Sequence, residues 1–144
     1  MEIRYMTLEE VEDVFWLEQQ NFSHPWSQES IAKAAKQPEN LYLVAVEGDK
    51  VLGYCGIWCS MDYADLCRIV VMPERRKQGI ASALLDVGVK GCRERRMEKL
   101  LLEVRASNIA AIALYEKKKF QKIYTRRNYY SNPVEDACIM QLLL

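Results

Sequence analysis

Hydrophobic and polar positions near the front of the chain predict a short strand followed by two helices. Glu2–Met6 is short and mixed enough to form a first strand, and Thr7 with Glu10 makes a capping box that begins a helix. Ser27 can cap a second, shorter helix that runs to about Lys36. Apolar residues of the first helix recur at helical spacing and would set one face against a sheet, at Val11, Val14, Phe15, Leu17 and Phe22.

The middle of the chain has the pattern of strands followed by a longer helix. Leu41–Val46 and Val51–Trp58 are rich in β-forming residues and are joined by a turn of Glu, Gly, Asp and Lys, which predicts an antiparallel hairpin. Leu66–Met72 is a further strand that ends at Pro73. The charged, glycine-containing stretch after it leads into a helix over about Ile80–Arg95.

The last part of the chain alternates strands with one helix. Lys99–Val104 predicts a compact apolar strand, Ser107 or Asn108 can cap the next helix, and Phe120–Arg126 and Ala137–Leu143 predict closing strands. Neither an internal repeat nor a linker interrupts this order. We therefore expect one α/β domain over residues 1–144, with a mixed sheet and helices on both of its faces.

Composition narrows the classes of function. The chain has 144 residues, and its 20 basic and 20 acidic side chains cancel, so we expect no surface built to follow nucleic acid. No apolar run approaches the ~18 residues of a membrane helix and the N-terminus lacks a signal-peptide pattern. We therefore expect a cytoplasmic protein with no membrane partner, and a monomer.

The cysteines do not predict a metal site or disulfides. The five cysteines contain no Cys-x-x-Cys pair and lie within apolar stretches, which is typical of reduced, buried thiols. The single histidine, His24, lies far from any cysteine pair. Because this spacing matches no familiar zinc pattern, we expect no metal.

The loop between the predicted strand at 66–72 and the helix at 80–95 is the first candidate for chemistry. Gly79 lets the backbone approach a ligand closely, and the N–H groups that open the helix converge where a phosphate could lie. Taken alone, a glycine at such a turn is more often only a requirement of geometry. The segments around the loop make the phosphate interpretation stronger.

These segments resemble the GNAT acetyltransferases, and in particular the RimI-like ribosomal-protein-alanine acetyltransferases. Arg76, Gly79 and Ala81 are similar to the Gln/Arg-x-x-Gly-x-Gly/Ala motif that holds the pyrophosphate of acyl-CoA. The resemblance covers nearly the whole chain, including residues 25–27, 102–116, 126–130 and 135–140. It implies the GNAT fold, a central, mostly antiparallel sheet of about seven strands flanked by four helices.

The resemblance also implies roles for individual residues. Glu103 would accept a proton and Tyr115 would donate one. The acetyl and pantetheine parts of acetyl-CoA would meet backbone groups of three strand residues, Ile69, Val70 and Val71. Its pyrophosphate would be cradled by six residues of the loop and helix, Lys77, Gln78, Gly79, Ile80, Ala81 and Ser82. A further contact to acetyl-CoA would come from Asn108.

The positions of these residues in the predicted elements agree with the implied roles, but they also agree with purely structural ones. Glu103 lies at the carboxyl end of a predicted strand, where ligands usually bind in open α/β sheets. The Val71 N–H could polarise a thioester carbonyl, provided that the strand splays away from its neighbour and leaves this amide unpaired. Without the resemblance, Glu103 would more often be a solvated carboxylate and Tyr115 an aromatic at the edge of the core.

The acceptor side of the site is predicted from three aromatic residues. The resemblance implies that Trp26, Tyr129 and Tyr130 bind the substrate, the two tyrosines from a loop that walls a peptide groove. They could instead pack a turn, and the segment around Trp26 could staple the first two helices together. Arg68 stands where small or amide side chains are frequent in the family, so its charge could alter the groove. We assign His24 no catalytic role.

The function that the resemblance implies is direct transfer of an acetyl group from acetyl-CoA to the α-amine of an N-terminal alanine of a small-subunit ribosomal protein. A single glutamate suits an α-amine of pKa ~8, because a lysine of pKa ~10.4 costs about 3 kcal/mol more to deprotonate. No cysteine has a recognised nucleophile setting, so we expect no acetyl-cysteine. Acetylation of a lysine or a small amine, or acyl-CoA binding without turnover, remain the alternatives.

Overall fold

Strands and helices follow the predicted order in a computed structural model that describes residues 1–144. The strands are β1 (Glu2–Tyr5), β2 (Leu41–Glu47), β3 (Lys50–Ser60), β4 (Tyr63–Val71), β5 (Lys99–Arg105), β6 (Gln121–Tyr130) and β7 (Glu135–Leu143). The helices are α1 (Val11–Asn21), α2 (Gln28–Ala35), α3 (Ile80–Glu94) and α4 (Ile109–Lys117). No helix combines the length and the apolar character needed to cross a bilayer.

Polar side chains fix where three of these elements begin, as predicted. Thr7 and Glu10 form the capping box, which opens a short 3-10 turn that continues directly into α1. The Ser27 hydroxyl caps α2 by accepting a backbone N–H of its first turn. Asn108 caps α4 in the same way, which decides between Asn108 and Ser107.

One seven-stranded sheet forms the centre of the molecule, with the order β1-β2-β3-β4-β5-β7-β6. Only β4 and β5 run parallel, so the prediction of a mostly antiparallel sheet is confirmed. Helices α1 and α2 bury apolar residues such as Val14 and Ile31 on one face. Helices α3 and α4 bury residues such as Leu84 and Tyr115 on the other. Helices on both faces are therefore confirmed as well.

Two strands extend beyond their predicted limits by three residues or more. Strand β4 begins at Tyr63 rather than Leu66, because its first residues pair with both β3 and β5. Strand β6 continues to Tyr130 rather than ending at Arg126. The prediction of a loop at Tyr129 and Tyr130 is therefore wrong. Both tyrosines lie in the last part of a strand whose pairing with β7 is irregular and where Asn128 has φ 53°.

The five cysteines are free thiols, as expected. Four of them are buried, while Cys67 is half-buried on β4. Cys67 lies where the pairing of β3 with β4 shifts register, since Gly56 pairs with Arg68 and the next residue, Ile57, pairs with Leu66. This bulge separates the first part of β4, which pairs with β5, from its last part, which does not.

Candidate active site

The central feature of the candidate site is an opening in the sheet between β4 and β5. The two strands pair only from Tyr63–Lys99 to Leu66–Leu102. Beyond Leu66, β4 stays paired with β3 as far as Val71, while β5 stays paired with β7. The backbone of residues 67–71 therefore has a free side that faces the opening.

Strand geometry shows which backbone groups face this opening. The Met72 N–H donates to the Leu52 carbonyl on β3 at 2.8 Å. Because the N–H groups of successive residues point to opposite sides of a strand, those of Ile69 and Val71 point away from β3, and that of Val70 points toward it. The Val71 carbonyl faces the same way and accepts a hydrogen bond from Arg76 Nε at 3.1 Å. The splay that the predicted role of Val71 requires is present.

The first turn of α3 provides a cluster of unpaired N–H groups. Gly79 precedes the helix in the left-handed conformation, with φ 81°, and supplies no side-chain cap. The first N–H that reaches back to Gly79 belongs to Ala83, so the amides of Ile80, Ala81 and Ser82 have no partner in the helix.

The space above this turn is open. A Cβ added at Gly79 would meet no atom within 4 Å, and Lys77 also has a positive φ of 63°. Consecutive amides in such a turn, together with the positive end of the helix dipole, make a concavity that favours an anion. Residues 77–82, the predicted cradle, therefore combine unpaired amides with open space, a geometry that suits an anion.

Glu103 is exposed on β5, one residue beyond the last pair with β4. Its Oε1 lies 3.9 Å from Arg126 Nη1. The proximity of the Glu103 carboxylate, followed by burial, raises the pKa of the Tyr129 hydroxyl. The structure thus brings the predicted base together with one of the predicted substrate-binding tyrosines.

Tyr115 lies on the opposite face of the sheet, in the core beneath α4. Its ring packs against Phe120 with centroids 5.7 Å apart. Burial, followed by the proximity of Cys55 and Tyr130, raises the pKa of the Tyr115 hydroxyl to about 12. A hydroxyl with this pKa keeps its proton at neutral pH, so it can donate but does not act as a base.

Tyr130 lies near Glu103 and Arg105, and Asn108 lies at the start of α4. Burial raises the pKa of Tyr130 to about 12, and its ring lies under the Arg105 guanidinium at 4.4 Å. The Asn108 side-chain oxygen caps α4 by accepting the Ala111 N–H at 3.2 Å. The amide nitrogen of Asn108 makes no hydrogen bond within the chain, so it is free to donate to another molecule at the helix N-terminus.

Trp26 lies in the loop between α1 and α2, on the face of the sheet opposite to Tyr115. Its ring stacks on Trp58 with centroids 5.9 Å apart, and the Arg68 guanidinium lies 4.4 Å from the ring centroid. Its backbone N–H donates to Glu18 at 2.8 Å. A surface groove beside the two tryptophans continues along α2 past Lys33 to residues 37–40, but it does not include Glu103.

Two carboxylates near these residues were not found by sequence reasoning. Glu18 is fully buried and pairs with Arg68. It follows Val11 and Val14 at the spacing i, i+3, i+7, which places it on the apolar face of the helix. A charged residue at such a position could have predicted a buried ion pair. Asp65 lies opposite Leu101 on β5, and burial, with the charge of Glu103, raises its pKa. The sequence carried no signal for Asp65, because its neighbour on β5 depends on the strand register.

Comparison with known proteins identifies relatives over nearly the full length of the chain. Residues 9–120 match the model of the acetyltransferase (GNAT) family. A Bacillus subtilis protein named as a candidate ribosomal protein bS18-alanine N-acetyltransferase is 38% identical over 139 residues, which is 96% of this chain and 92% of that protein. The Escherichia coli ribosomal protein bS18-alanine N-acetyltransferase is 37% identical over 131 residues, 89% of this chain and 87% of the relative.

Comparison with solved structures leads to a protein of the same kind. The crystal structure of the Escherichia coli ribosomal-protein-alanine N-acetyltransferase superposes with a TM-score of 0.90 and 33% identity, and the match covers 99% of this chain and 92% of that one. Both the sequence and the structure therefore lead to one family.

Proposed function

Since this chain belongs to the GNAT acetyltransferase family, we propose that it transfers the acetyl group of acetyl-CoA to the α-amine of the N-terminal alanine of ribosomal protein bS18. The relatives that cover most of the chain are named for this reaction. The structural observation that carries the proposal is the opening between β4 and β5 beyond Leu66 and Leu102. A ribosomal protein as acceptor would place the reaction in the cytoplasm.

Acetyl-CoA supplies the acetyl group as a thioester, and the chain has groups that fit its parts. The N–H groups of Ile80, Ala81 and Ser82, with the turn at residues 77–79, would hold the pyrophosphate. The free N–H groups of Ile69 and Val71 would hydrogen-bond the pantetheine arm and the acetyl carbonyl, as β-strand edges do with extended ligands. The Asn108 amide would add a contact from α4.

The proposed base, Glu103, and the proposed acid, Tyr115, lie on opposite faces of the sheet. Glu103 would take a proton from the α-ammonium, so that the neutral amine can attack the thioester carbon. The Val71 N–H would donate to the carbonyl oxygen as negative charge develops on it. The Tyr115 hydroxyl, which keeps its proton at neutral pH, would donate this proton to the departing thiolate.

Direct transfer is supported by the state of the cysteines. Cys67 is the only cysteine that is not buried, and it lies beside the opening. Burial raises the pKa of its thiol to about 12, so the thiolate needed for an acetyl-cysteine intermediate is scarce at neutral pH. A single transfer between the two bound substrates therefore needs fewer steps and no unfavourable ionisation.

The experiment that tests this proposal measures thiol release from acetyl-CoA with two peptides. One has the N-terminal sequence of bS18 beginning with a free alanine, and its twin has a blocked N-terminus and an internal lysine. We expect turnover with the free alanine only. Turnover with the blocked twin would instead assign a lysine acceptor, and binding of acetyl-CoA without turnover of either peptide would contradict an alanine transferase.

A further inference from the structure

A fully buried carboxylate holds together four elements next to the proposed acceptor side of the site. The Glu18 side chain on α1 accepts hydrogen bonds from the Tyr54 hydroxyl on β3 and from the Trp26 N–H at 2.8 Å. Arg68 on β4 donates its Nε–H to the two oxygens of Glu18 at 3.1 and 3.4 Å. Each oxygen of Glu18 is therefore satisfied, and the negative charge is paired within the protein.

Arg68 extends this network into the α1–α2 loop, residues 22–27. Its guanidinium lies over the ring of Phe22 at 4.2 Å and over that of Trp26 at 4.4 Å. Its Nη2 donates to the His24 carbonyl at 3.1 Å. One planar cation thus contacts three loop residues at once, and the fork geometry of arginine suits this better than the point charge of lysine.

The Arg68 side chain lies on the face of the sheet opposite to the turn at Gly79, which is proposed to hold acetyl-CoA. On β5, Leu102 and Val104 face the α3–α4 core, so the side chain of Glu103 between them points to the opposite face. Arg68 points to that same face, because it contacts Glu18 on α1 and Trp26. The proposed base and the Arg68 network therefore share the acceptor side, whereas the turn at Gly79 and the Tyr115 ring lie with α3 and α4.

We propose that Arg68 is a positioning residue for the acceptor peptide. Paired with Glu18, it fixes the α1–α2 loop so that the peptide meets an ordered wall at Trp26. The pair also neutralises the cation of Arg68 on the face of the sheet to which Glu103 points, so that Arg68 does not repel the α-ammonium of the substrate. This inference rests on the proposed function, since it requires a peptide acceptor.

The test uses steady-state kinetics with the alanine peptide for the wild type, Arg68→Lys and Glu18→Gln. We expect both variants to raise KM for the peptide about tenfold, because the loop must then be ordered on binding, with kcat and the Kd for acetyl-CoA changed less than about twofold. Arg68→Lys keeps the charge and most of the packing, so this variant is expected to fold.

Arg4→Gln provides the matched control. Arg4 also pairs with a carboxylate near the start of α1, through hydrogen bonds to the two oxygens of Glu10, but it lies on β1 at the edge of the sheet. Its loss should lower the melting temperature without changing KM for the peptide. Hydrogen exchange adds a readout that does not depend on turnover, and amides of residues 22–27 should exchange faster in Arg68→Lys than in the wild type.

The outcomes separate the two proposals. An active wild type whose Arg68→Lys variant keeps the same peptide KM overturns the positioning role and leaves the alanine transferase intact. Faster exchange of the loop with an unchanged KM overturns the positioning role too, because the loop would then be ordered for stability only. A wild type that binds acetyl-CoA but does not acetylate the peptide overturns the proposed function, and with it the role of Arg68.

Discussion

Leu66 on β4 pairs with Leu102 on β5, and these two residues are the last backbone partners of the only parallel strands in the sheet. Both side chains are buried in the core beneath α3 and α4. The strand ends beyond them diverge, so the N–H of Val71 becomes free. Glu103 directly follows Leu102, and its side chain alternates onto the opposite face of the sheet. The end of the β4–β5 pairing therefore leaves the proposed hydrogen-bond donor and the proposed base beside the same opening.

Replacing Glu103 by Gln tests the proposed base. The amide keeps the size of the side chain and a polar oxygen but cannot take a proton, so we expect kcat for the alanine peptide to fall by roughly 10²-fold or more. The Kd for acetyl-CoA should not change, since Glu103 lies on the acceptor side. Glu116→Gln, an exposed change on α4, should leave kcat at the wild-type value. Equal kcat in Glu103→Gln and the wild type would remove Glu103 from the mechanism.

Replacing Tyr115 by Phe tests the proposed acid. The buried ring and its contact with Phe120 remain, so the melting temperature should change little, while kcat should fall roughly 10²-fold with the loss of the proton donor. Tyr124→Phe, an exposed hydroxyl on β6, is the control and should have no effect.

The raised pKa of Tyr115 adds a pH dependence to this prediction. Because burial raises that pKa to about 12, the hydroxyl stays protonated through the range in which an ordinary tyrosine, of pKa about 10, begins to ionise. The ratio of wild-type kcat to Tyr115→Phe kcat should therefore stay constant from about pH 7 to pH 10. A ratio that falls with a midpoint near 10 would show an unshifted hydroxyl.

Local signals in the sequence were sufficient to predict most of the fold. The capping residues Thr7, Ser27 and Asn108 determine where helical segments begin through contacts within one turn, so they are readable without the tertiary structure. The extension of β6 to Tyr130 was missed because polar residues 126–128 do not alternate with apolar ones. Their strand conformation depends on pairing with β7.

The site was predictable only where its residues follow a motif. Gly79 was singled out by the composition of its loop and Glu103 by the resemblance. The splay beyond Leu66 was not predicted, because the residues of β4 have the same pattern whether or not β5 pairs with them. Arg68 was noticed as a departure from the family. Its partner Glu18 is 50 residues away in the chain, so the ion pair required the structure.

The Arg4–Glu10 contact makes the stability of the fold depend on pH. Burial acts to raise the pKa of Glu10, but hydrogen bonds from Arg4 and Thr7 outweigh it, and the pKa is lowered. A carboxyl whose pKa is lower in the folded state stabilises the fold above its unfolded pKa, and this contribution is lost as the pH falls through the folded pKa.

We therefore expect Glu10→Gln to lower the free energy of unfolding by about 1 kcal/mol at pH 7, with a difference from the wild type that shrinks as the pH falls below about 5. Thermal unfolding across this pH range measures the effect. Glu12→Gln, an exposed change in the next turn, should follow the wild type at each pH. A difference that grows on acidification would contradict the sign of the shift.

Two glycines in the left-handed conformation distinguish a role in phosphate binding from a role in turn geometry. Gly79 has φ 81° and Gly48, in the β2–β3 turn, has φ 61°, and an added Cβ at either position would meet no atom within 4 Å. Alanine at each should therefore destabilise the fold by a similar amount, about 1–2 kcal/mol, from the left-handed conformation alone. Only at Gly79 would the methyl group enter the space proposed for the pyrophosphate.

We expect Gly79→Ala to weaken acetyl-CoA binding about tenfold or more, by crowding the anion and disturbing the amides of the turn, while Gly48→Ala binds as the wild type does. Calorimetric titration with acetyl-CoA measures the affinities, and thermal unfolding confirms that the two variants are matched in stability. Dephospho-CoA, which keeps the pyrophosphate, should show the same loss. Equal affinities of the two variants would mean that Gly79 serves the turn only, and that the pyrophosphate is held elsewhere.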